Sequence, residues 1–210
     1  MPLLEVKNLA LNFAENEVLR GVSFTIEKGE TLALVGESGS GKSTLALAAL
    51  GLQPFSGSLT LGGKSWGISA ASDRALRRMV QVVFQDPFSS LSPRMTVEAL
   101  VGEGLLVHAP GLSLQLRQAR VVQALNDVGL DEKQFPGLLD RYPHEFSGGQ
   151  RQRLLIAGAL VCGPQLVVAD DLDARAQCHH LAVPHALHVM GGFEGRDAVD
   201  QHHGAHVFHA

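Results

Sequence analysis

The chain opens on a two-residue rhythm. Val22-Ser23-Phe24-Thr25-Ile26 alternates apolar with polar, the period of a half-buried strand, and residues 4–9 share its strand-like composition. Lys28-Gly29 marks a turn, and the apolar run Thr31-Leu32-Ala33-Leu34-Val35 reads as a buried strand. The pattern then predicts a helix over 44–50 and a strand ending in a turn over 56–63. A short helix capped by Ser72-Asp73 should run to Met79, followed by a short buried strand over 80–84. Beyond Pro87 the rhythm lengthens. Residues 96–106 and 114–128 carry helical periodicity, and Leu114, Val121, Leu125 and Val128 fall on one face of the second stretch. Residues from Pro87 to about Glu145 therefore read as a mostly helical insertion between two α/β portions. A further helix is predicted over 150–161, then the apolar strand Leu166-Val167-Val168-Ala169, which ends in Asp170.

Between the apolar run and the first helix stands Gly36-Glu37-Ser38-Gly39-Ser40-Gly41-Lys42-Ser43-Thr44. A glycine-rich loop between a strand and a helix is the setting of a phosphate-binding P-loop. Successive backbone N–H groups of such a loop turn inward and form an anion-binding nest, to which the helix adds its positive end. Lys42 would reach the β- and γ-phosphates, and the Ser43 hydroxyl would bind Mg²⁺. A plain glycine turn ahead of Lys-Ser is the bland alternative. The strand before the loop and the helix after it argue for phosphate.

Composition narrows the class. The 210 residues suit one domain with room for a subdomain, and 45% are hydrophobic, ordinary for a globular core. A formal net charge of −4 gives no global basic field for nucleic acid. Cys162 and Cys178 are unpatterned, which suggests a reducing compartment instead of a disulfide framework. The first residues lack the charged head and apolar run of a signal peptide, and no apolar stretch approaches the ~20 residues that span a bilayer. A membrane role would need a spanning partner.

Phe146-Ser147-Gly148-Gly149-Gln150-Arg151-Gln152-Arg153 precedes the predicted helix at 150. Ser-Gly-Gly there offers a hydroxyl, unobstructed N–H groups and a helix end, again suited to phosphate. Most such strings are capped linkers. This one lies downstream of a P-loop and just upstream of a strand ending in aspartate. Together the motifs resemble those of the ATP-binding-cassette ATPases, over about residues 3–170. Gly36 to Ser43 match the family's Walker A loop, Ser147, Gly148, Gly149 and Gln150 its signature, Leu166 to Asp170 its Walker B strand, and Gln85 its Q-loop. Phe13 falls where the family has an aromatic stacked on adenine, although one aromatic in a strand-rich segment also fits a core position. Residues 85–97, Gln85-Asp86-Pro87-Phe88-Ser89-Ser90-Leu91-Ser92-Pro93-Arg94-Met95-Thr96-Val97, and Arg141-Tyr142-Pro143-His144-Glu145 resemble peptide and nickel importers.

The resemblance implies an α/β fold: a P-loop NTPase (RecA-like) core with an N-terminal antiparallel β subdomain and a helical signature subdomain at about 87–150. It implies an ATP-hydrolysing subunit of a peptide importer, with ATP and Mg²⁺. Gly36, Ser38, Gly39, Gly41, Lys42, Ser43, Thr44 and Phe13 would hold nucleotide. Ser43, Gln85 and Asp170 would hold the metal, and Gln85 and Asp171 would serve hydrolysis. The signature would complete the site of a second, head-to-tail cassette. Permease subunits would read the motion, near residues 88–97, with a solute-binding protein acting indirectly and no nucleic acid partner. Such a subunit would be cytoplasmic, peripheral on the inner face of the membrane.

The sequence departs from that pattern after Asp170. Asp171 stands where the family has a glutamate; it keeps the charge one methylene short, and ~1 Å of misplacement can cost about 10²-fold in rate. Leu172-Asp173-Ala174-Arg175-Ala176-Gln177 resembles the later part of the family's next segment, as if several residues between Asp171 and Leu172 were absent, and the domain is expected to span 1–177. Residues 178–210 form a His-rich tail, with His179, His180, His185, His188, His202, His203, His206 and His209 and no lysine. The tail fits a replaced chain end or, as a rival, a metal-binding segment. Its composition suggests little folding, and loss of the family's strand between the Walker strands would open a gap in the sheet. Two alternatives to the importer follow: a cassette that binds nucleotide without hydrolysing it, and a soluble cassette ATPase outside transport.

Overall fold

The N-terminal alternation folds into an antiparallel sheet of order β2-β1-β4-β5. Its strands are β1 (Leu4–Phe13), β2 (Asn16–Ile26), β4 (Ser56–Leu61) and β5 (Lys64–Ser65). Leu4, Val6, Leu9 and Leu11 of β1, Ile26 of β2 and Leu59 and Leu61 of β4 are buried, the inward set that a period of two requires. The computed structural model describes residues 1–13, 16–37, 39–66, 73, 76–84, 86–170, 186–189 and 205–209. The helix expected from Ser72 and the loop after Phe13 lie largely outside these residues.

β1 runs beyond the predicted end because irregularities let it continue. The register with β2 shifts between Val6 and Leu9, where Asn8 adopts φ 49° and its N–H donates to Ser23 Oγ at 2.8 Å. The neighbouring strand accommodates this with Gly57 at φ 103°, where a Cβ would lie 2.6 Å from the Lys7 carbonyl oxygen. Only glycine fits that approach.

The second sheet has the order β6-β7-β8-β3-β9. It contains β3 (Thr31–Val35), β6 (Val80–Val83), β7 (Leu166–Asp170), β8 (Ala186–Val189) and β9 (Ala205–His209). β8 pairs in parallel with both β3 and β7, and β9 pairs in parallel with β3. The expected gap is therefore absent. Part of the His-rich stretch is strand, contrary to the reading from its composition. A central parallel strand such as β3 carries backbone N–H and C=O groups along both edges, and β8 and β9 pair them. α1 (Lys42–Ala49) follows β3 and buries Leu45, Ala46, Ala48 and Ala49.

The described residues form two compact units, one of 1–80, 165–170, 186–189 and 205–209 and the other of 81–164. The second is helical: α2 (Pro87–Ser90), α3 (Val97–His108), α4 (Leu114–Asp127) and α5 (Gly148–Leu160), with 3₁₀ turns at Leu138–Asp140 and Pro143–Glu145. Each α-helix here starts at a side-chain cap, from Asp86, Thr96, Ser113 and Ser147 in turn. Val97, Val101, Leu105, Val121, Leu125, Leu130, Leu154 and Ile156 are buried. Gly104 lets α3 lie close to the end of α5, since a Cβ there would meet Cys162 Sγ at 2.8 Å. Leu114 departs from its predicted face: it is 66% exposed, because it is the first residue of α4 and precedes the turn that packs. No helix among the described residues is long and apolar enough to cross a membrane.

Candidate phosphate-binding site

The loop between β3 and α1 is closed by its own lysine. Lys42 is 7% exposed, and its Nζ donates to the carbonyls of Gly36 at 2.9 Å and Glu37 at 2.6 Å and to Ser40 Oγ at 3.2 Å. The ammonium is thus held over the loop by neutral acceptors. Among the described residues its hydrogen-bond partners are neutral oxygens, which suits the ammonium to receive an anion. Gly39 (φ 85°) and Gly41 (φ 93°) turn the backbone through the left-handed region. Gly41 is also closely packed, since a Cβ would meet the Val18 carbonyl oxygen and Leu19 Cδ2, each at a tight 3.2 Å. The loop therefore rests on β2. Gly41 is the N-cap of α1, no side chain caps that helix, and its first turn holds no acidic residue. An anion there would meet the positive helix end without a carboxylate on the first turn to compete. Ser43 is exposed and Thr44 half-buried on the first turn.

The far end of α1 is pinned as well. The Trp66 indole, 2% exposed, donates from Nε1 to the Ala49 carbonyl at 2.6 Å. This contact escaped the sequence reading; the one tryptophan of the chain was its only signal.

Phe13 ends β1, paired with Asn16, and is 47% exposed. It is not a core residue. Two residues earlier Leu11 pairs with Leu19, which touches Gly41, so the hairpin carrying Phe13 adjoins the loop.

Asp170 is the last residue of β7. Parallel register aligns it with Val189 of β8, which in turn aligns with Leu34 of β3. Two strand spacings, about 10 Å, separate Asp170 from the strand that feeds the loop, and both strands end at the same sheet edge. Ser38, Gln85, Asp171 and His185 lie outside the described residues.

The Ser-Gly-Gly string is a separate piece, in the helical unit. Ser147 caps α5: its Oγ accepts from the Gln150 N–H at 3.4 Å, and Gln150 Oε1 accepts from the Ser147 N–H at 2.8 Å. Gly148 and Gly149 are exposed, and a Cβ on either would meet nothing within 4 Å. Nothing among the described residues requires glycine at those two positions.

A family model described as ABC transporter matches residues 19–174. The chain belongs to the ABC transporter family. It is 46% identical to the di/tripeptide transport ATP-binding protein DppF of Pseudomonas aeruginosa, over 83% of this chain and 54% of that one. It is 42% identical to the ABC transporter ATP-binding protein YejF of Escherichia coli, over 83% of this chain and 36% of that one. The chain thus spans about a third to a half of the length of these curated relatives. Among solved structures, cbiO1 of Clostridium perfringens, part of the ABC transporter complex cbiONQ, superposes with a TM-score of 0.77 at 26% identity, covering 91% of this chain and 79% of that one. The dimeric bacterial cassette MJ0796 gives 0.74 at 25% identity, covering 89% and 87%. The α/β cassette fold expected from the motifs is the fold observed.

Proposed function

We propose that the chain is the ATP-binding and ATP-hydrolysing subunit of an importer for peptides or similar small solutes. The observation that carries the reading is the Lys42 ammonium held on the Gly36 and Glu37 carbonyls above an uncapped helix end. A triphosphate tail would replace those neutral acceptors with charged oxygens, which make stronger hydrogen bonds. Gly36, Ser38, Gly39 and Gly41 would supply backbone N–H groups, and Ser43 and Thr44 the first helical turn. Phe13, exposed beside the loop, is a platform for the base.

The described residues fit a magnesium ion, which prefers hard oxygen ligands: a hydroxyl at Ser43 and a carboxylate residue at Asp170 on the same sheet edge, with Gln85 a further ligand expected from the sequence. Bound there, Mg²⁺ would neutralise charge on the β- and γ-phosphates. Gln85 and Asp171 would orient the attacking water, with Asp171 one methylene shorter than the family's glutamate.

The exposed turn Ser147-Gly148-Gly149-Gln150 would clasp the nucleotide of a second cassette. The dimeric state of the structural neighbour MJ0796 supports this arrangement, and the name of the DppF relative supports peptides as cargo. Permease subunits would then anchor the chain at the cytoplasmic face of the membrane, with a solute-binding protein acting through them.

The test is retention of labelled ATP by the purified chain with magnesium present. Wild type should retain nucleotide and Lys42→Ala should not; a folded wild type that retains none overturns the reading. Single-turnover hydrolysis separates the two nucleotide-binding readings. A wild-type rate no faster than that of Lys42→Ala leaves a binding module without turnover.

A further inference from the structure

The helix that carries the phosphate loop is fastened to the antiparallel sheet at both of its ends. At its start, a Cβ on Gly41 would lie 3.2 Å from the Val18 carbonyl oxygen and from Leu19 Cδ2, so the N-cap of α1 sits against β2. At its finish, the following chain satisfies three carbonyls. The Leu50 N–H donates to Ala46 at 3.0 Å, the Leu52 N–H to Leu47 at 2.9 Å and the Gly51 N–H to Ala48 at 2.9 Å. The next carbonyl, that of Ala49, takes the Trp66 indole N–H at 2.6 Å. Trp66 is itself held on the sheet, its backbone N–H donating to the Leu59 carbonyl of β4 at 2.9 Å. Leu59 pairs with Val6 of β1, the strand that ends in the exposed Phe13. One sheet thus carries both the Phe13 ring and the group that grips the far end of the helix begun by Lys42. A rod of eight residues, about 12 Å long, is thereby held against sliding along its own axis.

We propose that Trp66 is a positioning residue that sets the separation between the phosphate loop and the base platform at Phe13. Being 2% exposed, it acts through the helix and not by contact with the nucleotide. Its N–H fixes where α1 lies along the sheet, so that a ligand spanning loop and platform meets both at once. A ligand that fills the loop alone has no need of that spacing. The assignment deepens the nucleotide reading above and rests on it.

The experiment compares two ligands on the full chain by calorimetry with magnesium present: ATP, which spans both places, and inorganic tripolyphosphate, which fills the loop alone. Trp66→Phe should weaken ATP about two- to ten-fold, the worth of one aromatic stacking contact. It should leave tripolyphosphate unchanged, because the bonds of Lys42 close within residues 36–42. In a Phe13→Ala background, Trp66→Phe should cost ATP nothing further, the non-additivity of two residues that serve one contact. Benzothienylalanine in place of Trp66 keeps the fused ring and exchanges only the N–H for sulfur. It should show the same selective loss, so the outcome does not depend on how well Trp66→Phe folds. Equal loss of both ligands, loss of neither, or additive losses in the double variant overturns the assignment and leaves the nucleotide reading standing. A folded wild type that binds no ATP overturns the nucleotide reading and the assignment with it.

Discussion

The Trp66 indole Nε1 and the Ala49 carbonyl, 2.6 Å apart, join the end of β5 to the end of α1. Both groups are buried, and Ala49 is the last residue of the helix whose first residue is Lys42. A helix's last carbonyls have no intrahelical partner, so the indole fills a vacancy that the backbone cannot. Trp66→Phe keeps most of the packing and removes the donor. The expected cost is about 1–3 kcal/mol, that of leaving a buried acceptor unpaired. Urea unfolding with an unchanged slope would measure it, and a midpoint equal to wild type would show that the bond is replaced by another.

Gly57 and Asn8 make a paired irregularity, and substitutions at glycines can show it. A Cβ at Gly57 would sit 2.6 Å from the Lys7 oxygen and closer still to that of Asn8, and the residue has φ 103°. Backbone cannot step aside as a flexible side chain can. Gly57→Ala should therefore destabilise by more than about 3 kcal/mol, among the largest single-site effects. Gly29 has a similar φ of 85° but open space around it. Gly29→Ala should cost only the left-handed strain, about 1–2 kcal/mol. Thermal unfolding of the two variants side by side checks the contrast; equal losses would leave strain alone as the cause.

How much of this was readable beforehand depends on the range of the interaction. The loop from Gly36 to Thr44 was legible because its chemistry is local: glycine placement, the strand before and the helix after are all within one short window. The Ser147 cap is local too, whereas the caps Thr96 and Ser113 are equally local but went unread, because periodicity alone marked those two helices. Leu114 misled because helical periodicity says which residues share a face but not where along the helix packing begins. The pairing of β8 with β3 and β7 was hidden for the opposite reason. A short parallel strand is specified by the edges it meets, residues far away in sequence, and a four-residue stretch of Ala-Leu-His-Val carries no signal of its own. The contacts of Gly41 with Val18 and of Arg151 with Phe88 are likewise long-range, and no motif announces them.

Asp86 gives the turn bearing Phe88 a pH dependence. Hydrogen bonds hold its carboxyl below the ordinary aspartate value, first that from the Phe88 N–H and then that from the Ser89 side chain. A depressed folded value means that the ionised form is favoured by folding. The contribution is thus complete above the unfolded value and is lost as pH falls through the lowered folded one. Carboxyl-carbon titration by NMR should show the Asp86 midpoint below that of a model peptide, and exchange at Phe88 should quicken only as the acid limb is crossed. Asp86→Asn should remove that limb. A midpoint equal to that of the peptide would leave the cap without electrostatic preference.

Gly148 and Gly149 allow fold and function to be separated. Both lie in the first turn of α5 with open space where a side chain would go. Alanine is a better helix former than glycine by roughly 0.5–1 kcal/mol. On structural grounds alone, Gly149→Ala should be neutral or stabilising, and the Ser147–Gln150 capping box should survive it. If the turn clasps the phosphates of a second cassette, the added methyl stands where the nucleotide must approach. Gly149→Ala should then retain labelled ATP as wild type does, unfold at the same or a higher temperature, and yet fail to form ATP-driven pairs in sedimentation. Ser147→Ala gives the complementary result, with about 1 kcal/mol of stability lost through the cap in addition to weaker pairing. Pairing of Gly149→Ala at wild-type ATP concentrations would remove the clasp from the mechanism and leave those two glycines without a functional reason.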